Sequence, residues 1–222
     1  LDGNRYIDMS IGGIGANVLG YAVDEVDETV IETIRRGNSC SLNCPEEVEL
    51  ADKLCEIHPW ADKVRFSRTG GESMTIAVRI ARTYNGKDKV AFCGYHGWHD
   101  WYMAANLGTE NALGELLIPG LKPTGVPKRL AGTAYSFRYN QLDELKEIVS
   151  KNKNDLGVIV MESIRDDEPT EGFIEGVRAI ATEIGAVLVV DEISAGFRMN
   201  TGGAHLKLEL EPDIAVFSKA LG

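Results

Sequence analysis

A lysine, Lys219, ends a short apolar run at residues 213–219. A lysine in such a position is usually a solvated surface charge, but in a pocket it can act as a nucleophile towards a carbonyl group. Two acids, Asp191 and Glu192, follow another apolar run at residues 186–190. A carboxylate this close to a buried strand is destabilising by roughly several kcal/mol unless it has a partner. Asp191 therefore needs a side chain, a helix N-terminus or the protonated ring nitrogen of a ligand beside it.

Two glycines stand where an apolar run gives way to a segment with helical spacing. Thr69, Gly70 and Gly71 follow the run 63–68 and open this segment. Glycines at a helix N-terminus expose backbone N–H groups, and the helix dipole adds positive potential, which suits a phosphate group. An ordinary turn between a strand and a helix would also explain these glycines.

Aromatic and histidine side chains crowd the loop at residues 94–101, which follows an apolar run. Tyr95 could offer a stacking face to a planar ligand, and a buried aromatic cluster is the equally weighted alternative. His96 is its neighbour, and an acid, Glu162, directly follows the apolar run 157–161.

These features, taken in chain order, predict one cofactor. They are a phosphate cradle, an aromatic platform, a buried acid and a lysine. Pyridoxal phosphate needs N–H groups for its phosphate, a stacking face for its ring, a carboxylate for its ring nitrogen and an amine for its aldehyde.

Strand-like runs alternate with helix-like segments along the chain. The runs with strand character lie at 63–69, 88–94, 157–163, 186–194 and 213–219, and the segments with helical spacing at 26–36, 45–58, 72–84, 141–151 and 173–185. Two of the strand-like runs are continuously apolar over 157–161 and 186–190, which is typical of an α/β fold with a parallel sheet covered by helices on both faces. Ligands of such sheets bind beyond the carboxyl ends of the strands. The segment 103–135 is the least regular part.

Charge and hydropathy exclude several classes of function. The 222-residue chain has a formal net charge of −11, and it has no run rich in lysine and arginine, so nucleic acid is not an expected partner. No apolar run is long enough to span a membrane and no signal-peptide pattern opens the chain. Leu1 and Gly222 stand in contexts that read as the interior of a longer protein.

Four cysteines, Cys40, Cys44, Cys55 and Cys93, do not form a disulfide framework for a chain of this size. We interpret them as free thiols in the reducing cytoplasm, which predicts a cytoplasmic location. No paired histidines and cysteines follow Cys40 and Cys44 at metal-ligand spacing, so no metal site is expected.

Six motifs resemble those of the class III pyridoxal-phosphate aminotransferases, in the same order and at similar spacing. They read DGNRYIDMSIGGIGANVLGY, RTGGESMTIAVRIAR, CGYHGWHDW, FRYNQLDEL, DEISAGFR followed by GGAH, and PDIAVFSKALG. The resemblance covers nearly the whole chain. The stretch AGFRMNTGGAH resembles the branch that contains glutamate-1-semialdehyde 2,1-aminomutase more than the ornithine or acetylornithine transaminases.

The resemblance implies a role for each residue singled out above. Lys219 would form the Schiff base with the cofactor, and Asp191 would bind its pyridine nitrogen. Ile193 and Tyr95 would contact opposite faces of the ring. The remaining expected contacts are the phosphate ligands Thr69, Gly70 and Gly71 and the pocket residues His96 and Glu162.

The resemblance also implies a fold and an assembly. The fold would be of the aspartate-aminotransferase type (fold type I of pyridoxal-phosphate enzymes), with a large domain built on a mainly parallel sheet. Residues 1–44 would belong to the small domain and the subunit interface, and residues 45–222 to the cofactor-binding large domain. We expect most of the small domain to be missing from this chain, and the protein to be a homodimer whose active sites lie at the interface.

Three residues depart from the family pattern. Gly71 stands where the family usually has a hydroxyl residue, Arg68 replaces a small polar residue, and Ser163 replaces a proline. The partner of the cofactor's phenolic oxygen is expected in the loop 165–167.

The sequence therefore predicts an aminotransferase that acts on a small or sugar-like carbonyl compound with a small-molecule amino donor. An intramolecular aminomutase of the glutamate-1-semialdehyde type shares every residue named above and stays open as the alternative. A non-catalytic homologue that binds the cofactor would be marked by loss of Lys219 or Asp191, and both are present. The histidines His58 and His205 are interpreted as ordinary surface or packing residues.

Overall fold

A parallel β-sheet of five strands forms the centre of the computed structural model, which describes residues 2–39, 41–164 and 166–221. The strands are β1 (Lys89–Cys93), β2 (Ala134–Ser136), β3 (Leu156–Glu162), β4 (Val187–Asp191) and β5 (Ile214–Val216). Their order across the sheet is β2-β1-β3-β4-β5, and every neighbouring pair is parallel. The predicted α/β class with a mainly parallel sheet is confirmed.

Nine α-helices accompany the sheet in the described part of the chain. They are α1 (Gly12–Gly15), α2 (Asp24–Arg36), α3 (Pro45–Ile57), α4 (Gly70–Asn85), α5 (Asp100–Met103), α6 (Ala105–Gly108), α7 (Leu142–Asn152), α8 (Phe173–Ile184) and α9 (Ala204–Lys207). Helices α2, α3, α4, α7 and α8 are the five that the sequence predicts. The other four have four residues each, which is too short for a hydrophobic period to reveal them.

Local sequence explains where α4 begins and ends. Thr69 is its N-cap and accepts from the Glu72 N–H at 3.3 Å, while the Glu72 carboxylate accepts from the Arg68 N–H at 2.8 Å. The two bonds satisfy one N–H group of the first turn and the N–H of the residue before the N-cap, an arrangement related to the capping box. Gly86 closes the helix with a left-handed φ of 69°.

Two apolar layers bury the sheet, one on each face. The layer on the α4 face contains Val90, Phe92, Val158, Val160 and Val189. The layer on the opposite face, under α7 and α8, contains Ala91, Cys93, Ile159, Met161, Leu188 and Val190. Because successive residues of a strand point to opposite faces, both layers need apolar residues and the strands read as continuous apolar runs.

The carboxyl ends of the central strands are aligned at one edge of the sheet. Glu162 at the end of β3 is in register with Asp191 at the end of β4, and Asp191 is in register with Val216 of β5. The loops that follow these strands therefore start at a common edge of the sheet, which is where the sequence predicts the site.

The predicted strand at 63–69 is wrong. These residues belong to no strand, and no described strand lies beside them to accept backbone hydrogen bonds. Phe66 is 36% exposed, so the segment lacks the two-sided burial of the central strands. The sequence also missed β2, because its three residues lie in the irregular region after residue 103.

Other predictions meet the structure in part. Cys44, Cys55 and Cys93 form no disulfide bond, whereas Cys40 lies outside the described residues, as do Leu1, Arg165 and Gly222. No described helix combines the length and the apolar content that a membrane span requires. The division at residue 44 stays a prediction.

Candidate functional site

The turn 191–194, directly after β4, is the centre of the candidate site. Asp191 contacts His96, Ile193 packs against Gly70, and Ser194 contacts Lys219. One short segment thus touches three parts of the chain that the sequence singled out separately. These parts are the loop after β1, the start of α4 and the end of β5.

Asp191 is buried and its carboxylate has two partners. Its Oδ2 accepts from His96 Nδ1 at 2.7 Å, and its Oδ1 accepts from the Ile193 N–H at 2.9 Å. The other His96 nitrogen faces the Cys93 carbonyl oxygen at 3.2 Å. The buried acid therefore has a side-chain partner, which is one of the three kinds that the sequence allowed. A carboxylate offers about four lone-pair sites, so Asp191 retains capacity to accept a further donor.

His96 is held in place by aromatic rings. It is 1% exposed, and its ring lies parallel to that of Trp101 at 6.3 Å between centroids. Tyr102 and Phe92 meet it edge-on. This packing fixes the imidazole orientation, so the hydrogen bond to Asp191 has a defined direction.

Tyr95 lies at the open side of this cluster. Its side chain is 38% exposed and meets Tyr102 edge-on at 6.0 Å. Partial burial raises the pKa of Tyr95, a hydrogen bond with Trp98 acts against this, and the negative charge of Asp191 adds to it. More than a third of the Tyr95 side chain is therefore accessible to a ligand.

Side chains pack closely against the two glycines at the start of α4. A Cβ on Gly70 would lie 2.8 Å from Cδ1 of Ile193, and one on Gly71 would lie 3.2 Å from Cδ2 of His99. The first N–H groups of a helix have no partner within the helix. The Thr69 hydroxyl is already engaged in capping. At this turn the backbone, more than the hydroxyl, is disposed to bind an anion.

Lys219 follows β5 and faces the turn 191–194. Its Nζ donates to Ser194 Oγ at 2.7 Å. Lys219 has a left-handed φ of 53°, unusual for a residue with a side chain, and it starts a single 3-10 turn. This conformation turns the lysine from the direction of the strand towards Ser194.

Glu162 stands at the neighbouring strand end. A Cβ on Gly94 would lie 2.6 Å from its Oε2, so Gly94 permits the carboxylate to pack against the backbone just before Tyr95. Gly94 has a φ of 127°, which only glycine adopts readily. The structure therefore brings all of the sequence-predicted site residues to one edge of the sheet.

The sequence missed a second buried acid–histidine pair. Glu192 and His205 are both fully buried, and Glu192 Oε1 accepts from His205 Nδ1 at 2.8 Å and from the His205 N–H at 2.6 Å. Its Oε2 accepts from the Ala204 N–H at 3.1 Å. Of the surface and packing alternatives for His205, the structure supports packing. The acid directly after Asp191 was the signal that could have prompted a search for this partner.

His58 is buried against this second pair. Its ring is parallel to that of His205 at 5.3 Å, and its two nitrogens face the carbonyl oxygens of Leu54 at 2.9 Å and Gly202 at 2.5 Å. The packing alternative for His58 is the one that the structure supports. The cluster joins the end of α3 to the loop before α9.

Comparison with protein-family models identifies one match. The model described as "Aminotransferase class-III" matches residues 1–222. The motifs on which the resemblance was based lie within this range.

Similar proteins carry related names. The chain is 36% identical to 3-aminobutyryl-CoA aminotransferase of Cloacimonas acidaminovorans, covering 100% of this chain and 51% of that protein. It is 34% identical to glutamate-1-semialdehyde 2,1-aminomutase 2 of Lachnoclostridium phytofermentans, covering 100% of this chain and 52% of that protein. A solved structure described as a transaminase with PLP bound is 25% identical and has a TM-score of 0.82. The match covers 94% of this chain and 49% of that one. The chain thus spans about half the length of the relatives that it matches.

Proposed function

The chain belongs to the class-III aminotransferase family, and on that premise we propose that the full-length protein is a pyridoxal-phosphate-dependent aminotransferase. It would move an amino group from a donor amine to a small or sugar-like carbonyl compound. The observation that carries this proposal is the turn 191–194. It sets a buried carboxylate, an apolar side chain and a lysine partner around one space.

The residues at this edge of the sheet fit pyridoxal phosphate. Gly70 and Gly71 begin α4, where the first backbone N–H groups have no partner within the helix, which suits the phosphate. Asp191 has acceptor capacity left for a protonated ring nitrogen. Ile193 and Tyr95 are an apolar and an aromatic surface at the same place, which suits a planar ring.

The chain's own groups divide the work between holding and proton transfer. The bound cofactor supplies an aldehyde that takes up amino groups and a ring that withdraws electrons from the adjacent carbon. Lys219 would hold the cofactor covalently until the donor amine takes its place, and the Nζ freed in this way would take the proton from the carbon that bears the amino group. Ser194 orients Nζ through the 2.7 Å hydrogen bond. Asp191 would keep the ring nitrogen protonated by its charge alone. His96 fixes the orientation of the Asp191 carboxylate through their hydrogen bond.

Partners and location belong to the same proposal. The substrates would be a small-molecule amino donor and a carbonyl acceptor, as membership of the family implies. We infer a homodimer with shared active sites and a cytoplasmic location. The resemblance supports the dimer, and the free thiols support the compartment.

An aminomutase of the glutamate-1-semialdehyde type is the second candidate. The relative of that name at 34% identity favours it almost as much as the aminotransferase at 36%. The two activities differ in their requirement for a second substrate. Turnover that proceeds without any external amino donor would support the mutase, and turnover that needs one would support the aminotransferase.

The decisive experiment is the visible absorption spectrum of the full-length protein, recorded before and after borohydride and beside a Lys219→Ala variant. We expect a yellow cofactor band, a covalent adduct on Lys219 after reduction, and no adduct in the variant. Added amino donors should then bleach the band of the parent. If no band forms even with added pyridoxal phosphate, the result contradicts the proposed aminotransferase and favours the hypothesis of a non-catalytic homologue.

A further inference from the structure

The turn that follows residue 194 carries an arginine, Arg198, beside the candidate site. Phe197 has a left-handed φ of 57°, which reverses the chain just before the arginine. The Phe197 ring packs edge-on against Phe217 at 5.6 Å between centroids. Phe217 lies two residues before Lys219, so the turn with Arg198 is packed against the segment with the lysine.

Arg198 and Lys219 both have side-chain atoms beside Gly15, the last residue of α1. A Cβ on Gly15 would lie 3.1 Å from the Arg198 Nη1 and 3.9 Å from the Lys219 Cδ. The guanidinium nitrogen and the lysine side chain are therefore separated by at most the sum of these distances, about 7.0 Å. Gly15 has a φ of 83° and gives both side chains room.

The guanidinium has no anionic partner in the part of the chain that the structure describes. No described carboxylate forms an ion pair with Arg198. The nearby acids Asp191 and Glu192 are each bonded to a histidine. Two basic side chains thus stand together without a counter-charge, in a chain whose formal net charge is −11.

We propose that Arg198 determines substrate specificity by binding a carboxylate of the substrate, while the substrate's amine or carbonyl carbon lies at Lys219. The inference rests on the proposed function and names its substrate class: a short amino acid or oxo acid with a free carboxylate. A guanidinium binds a carboxylate through two parallel N–H···O bonds, so it fixes the orientation of the substrate as well as its position. The separation from Lys219 limits the substrate to a short carbon chain between the two groups.

The first test measures binding without turnover. Butanoate and butanamide are titrated calorimetrically into the cofactor-loaded full-length protein, its Arg198→Gln variant and a Lys207→Gln control. Lys207 is an exposed cation on α9, so its removal changes the net charge by the same amount. We expect Arg198→Gln to weaken butanoate binding about 10- to 100-fold and to leave butanamide unchanged, because only the acid makes a charge-assisted hydrogen bond. The Lys207→Gln control should behave as the parent does.

The second test separates binding from chemistry. Bleaching of the cofactor band is followed in single turnovers with 3-aminobutanoate and with 3-aminobutanamide. For the acid, Arg198→Gln should raise the half-saturating concentration about 10- to 100-fold, whereas for the amide this concentration should stay within about threefold of the parent's. Arg198→Lys should restore part of the affinity.

Two outcomes overturn different statements. If Arg198→Gln weakens the acid and the amide equally, Arg198 is only a structural tie for the turn around Gly15, and the specificity proposal fails. If the parent converts neither compound while calorimetry still shows that Arg198 selects butanoate, the proposed transamination fails and the carboxylate site stands.

Discussion

Two acid–histidine pairs follow β4 side by side, and they differ in what surrounds them. Asp191 pairs with His96 at 2.7 Å and Glu192 pairs with His205 at 2.8 Å, each through Nδ1. Glu192 also accepts two backbone N–H groups and is fully enclosed by protein. Asp191 accepts one backbone N–H group and adjoins the half-exposed Tyr95.

The difference shows how one chemical pair serves two purposes. Three donors saturate most of the acceptor capacity of Glu192, so this pair binds chain segments together. Asp191 keeps acceptor capacity on the side of the candidate site, so it can bind a further group. The alternation of side chains at a strand end assigns neighbouring acids to opposite sides.

The largest expected effect is on the Asp191 side. Asp191→Asn keeps the shape and removes the charge that would hold a ring nitrogen protonated. We expect the transaminase kcat/KM to fall about a thousandfold, equivalent to about 4 kcal/mol. The free energy of unfolding should fall by only about 1–2 kcal/mol, since the amide nitrogen would face one of two donors, His96 Nδ1 or the Ile193 N–H. Steady-state kinetics and urea unfolding measure the two quantities. A variant that retains a tenth of the activity would contradict the assignment.

The matching change on the other side, Glu192→Gln, should affect stability instead. An amide nitrogen would face the N–H donors of His205 or Ala204, which leaves buried donors unpaired. We expect the free energy of unfolding to fall by about 2–3 kcal/mol in urea titrations. The kcat of the folded, cofactor-loaded protein should stay within about threefold. A large loss of kcat with unchanged stability would reverse the division between the two pairs.

The two histidines offer a finer test of the same division. His96→Gln removes the packed partner of Asp191, so the cofactor should dissociate more easily, with a Kd about 10- to 30-fold higher. His205→Gln is the matched control and should lower the unfolding midpoint while leaving that Kd unchanged. Fluorescence titration with pyridoxal phosphate measures the Kd of both variants. Equal losses of affinity in the two variants would show that the pairs are not separate.

The smallest expected effect is the pH dependence of stability that Tyr139, shortly after β2, contributes. Burial raises the pKa of Tyr139 well above its ordinary value, and negative charge on Cys93 and Glu162 adds to this. Because the folded-state pKa is the higher one, the contribution of Tyr139 to stability is complete below about pH 10 and is lost as the pH rises further.

Tyr139→Phe should therefore flatten the decline of stability above about pH 10. Below that pH it should lower the free energy of unfolding by about 1 kcal/mol, since the 2.8 Å hydrogen bond to the Ser163 carbonyl is lost. Urea unfolding at several alkaline pH values measures the slope. Parallel curves for parent and variant would mean that another group titrates.

Most of the fold was predictable from the sequence, for local reasons. The continuous apolar runs of β3 and β4 and the helical period of α4, α7 and α8 each reflect burial of that segment. The failure at 63–69 has a physical cause, since a strand exists only if another strand pairs with it. A segment's own residues do not reveal that.

The candidate site was predictable in its residue types and less so in its contacts. The sequence indicated that Asp191 needs a partner, and the structure supplies His96, which lies 95 positions earlier in the chain. Ser194, which contacts Lys219, and Arg198, which adjoins it, carry no signal of their own in the sequence.

The sequence by itself determined the parallel α/β class, the family and the set of groups that chemistry would need. Those properties follow from side-chain types, their local period and the order of the motifs. Only the tertiary structure decided that Asp191 faces the candidate site and that Glu192 is enclosed beside His205. It also decided that Arg198 stands beside Lys219. The reason is that these contacts join segments far apart in the chain, and their geometry exists only once the sheet has aligned its strand ends.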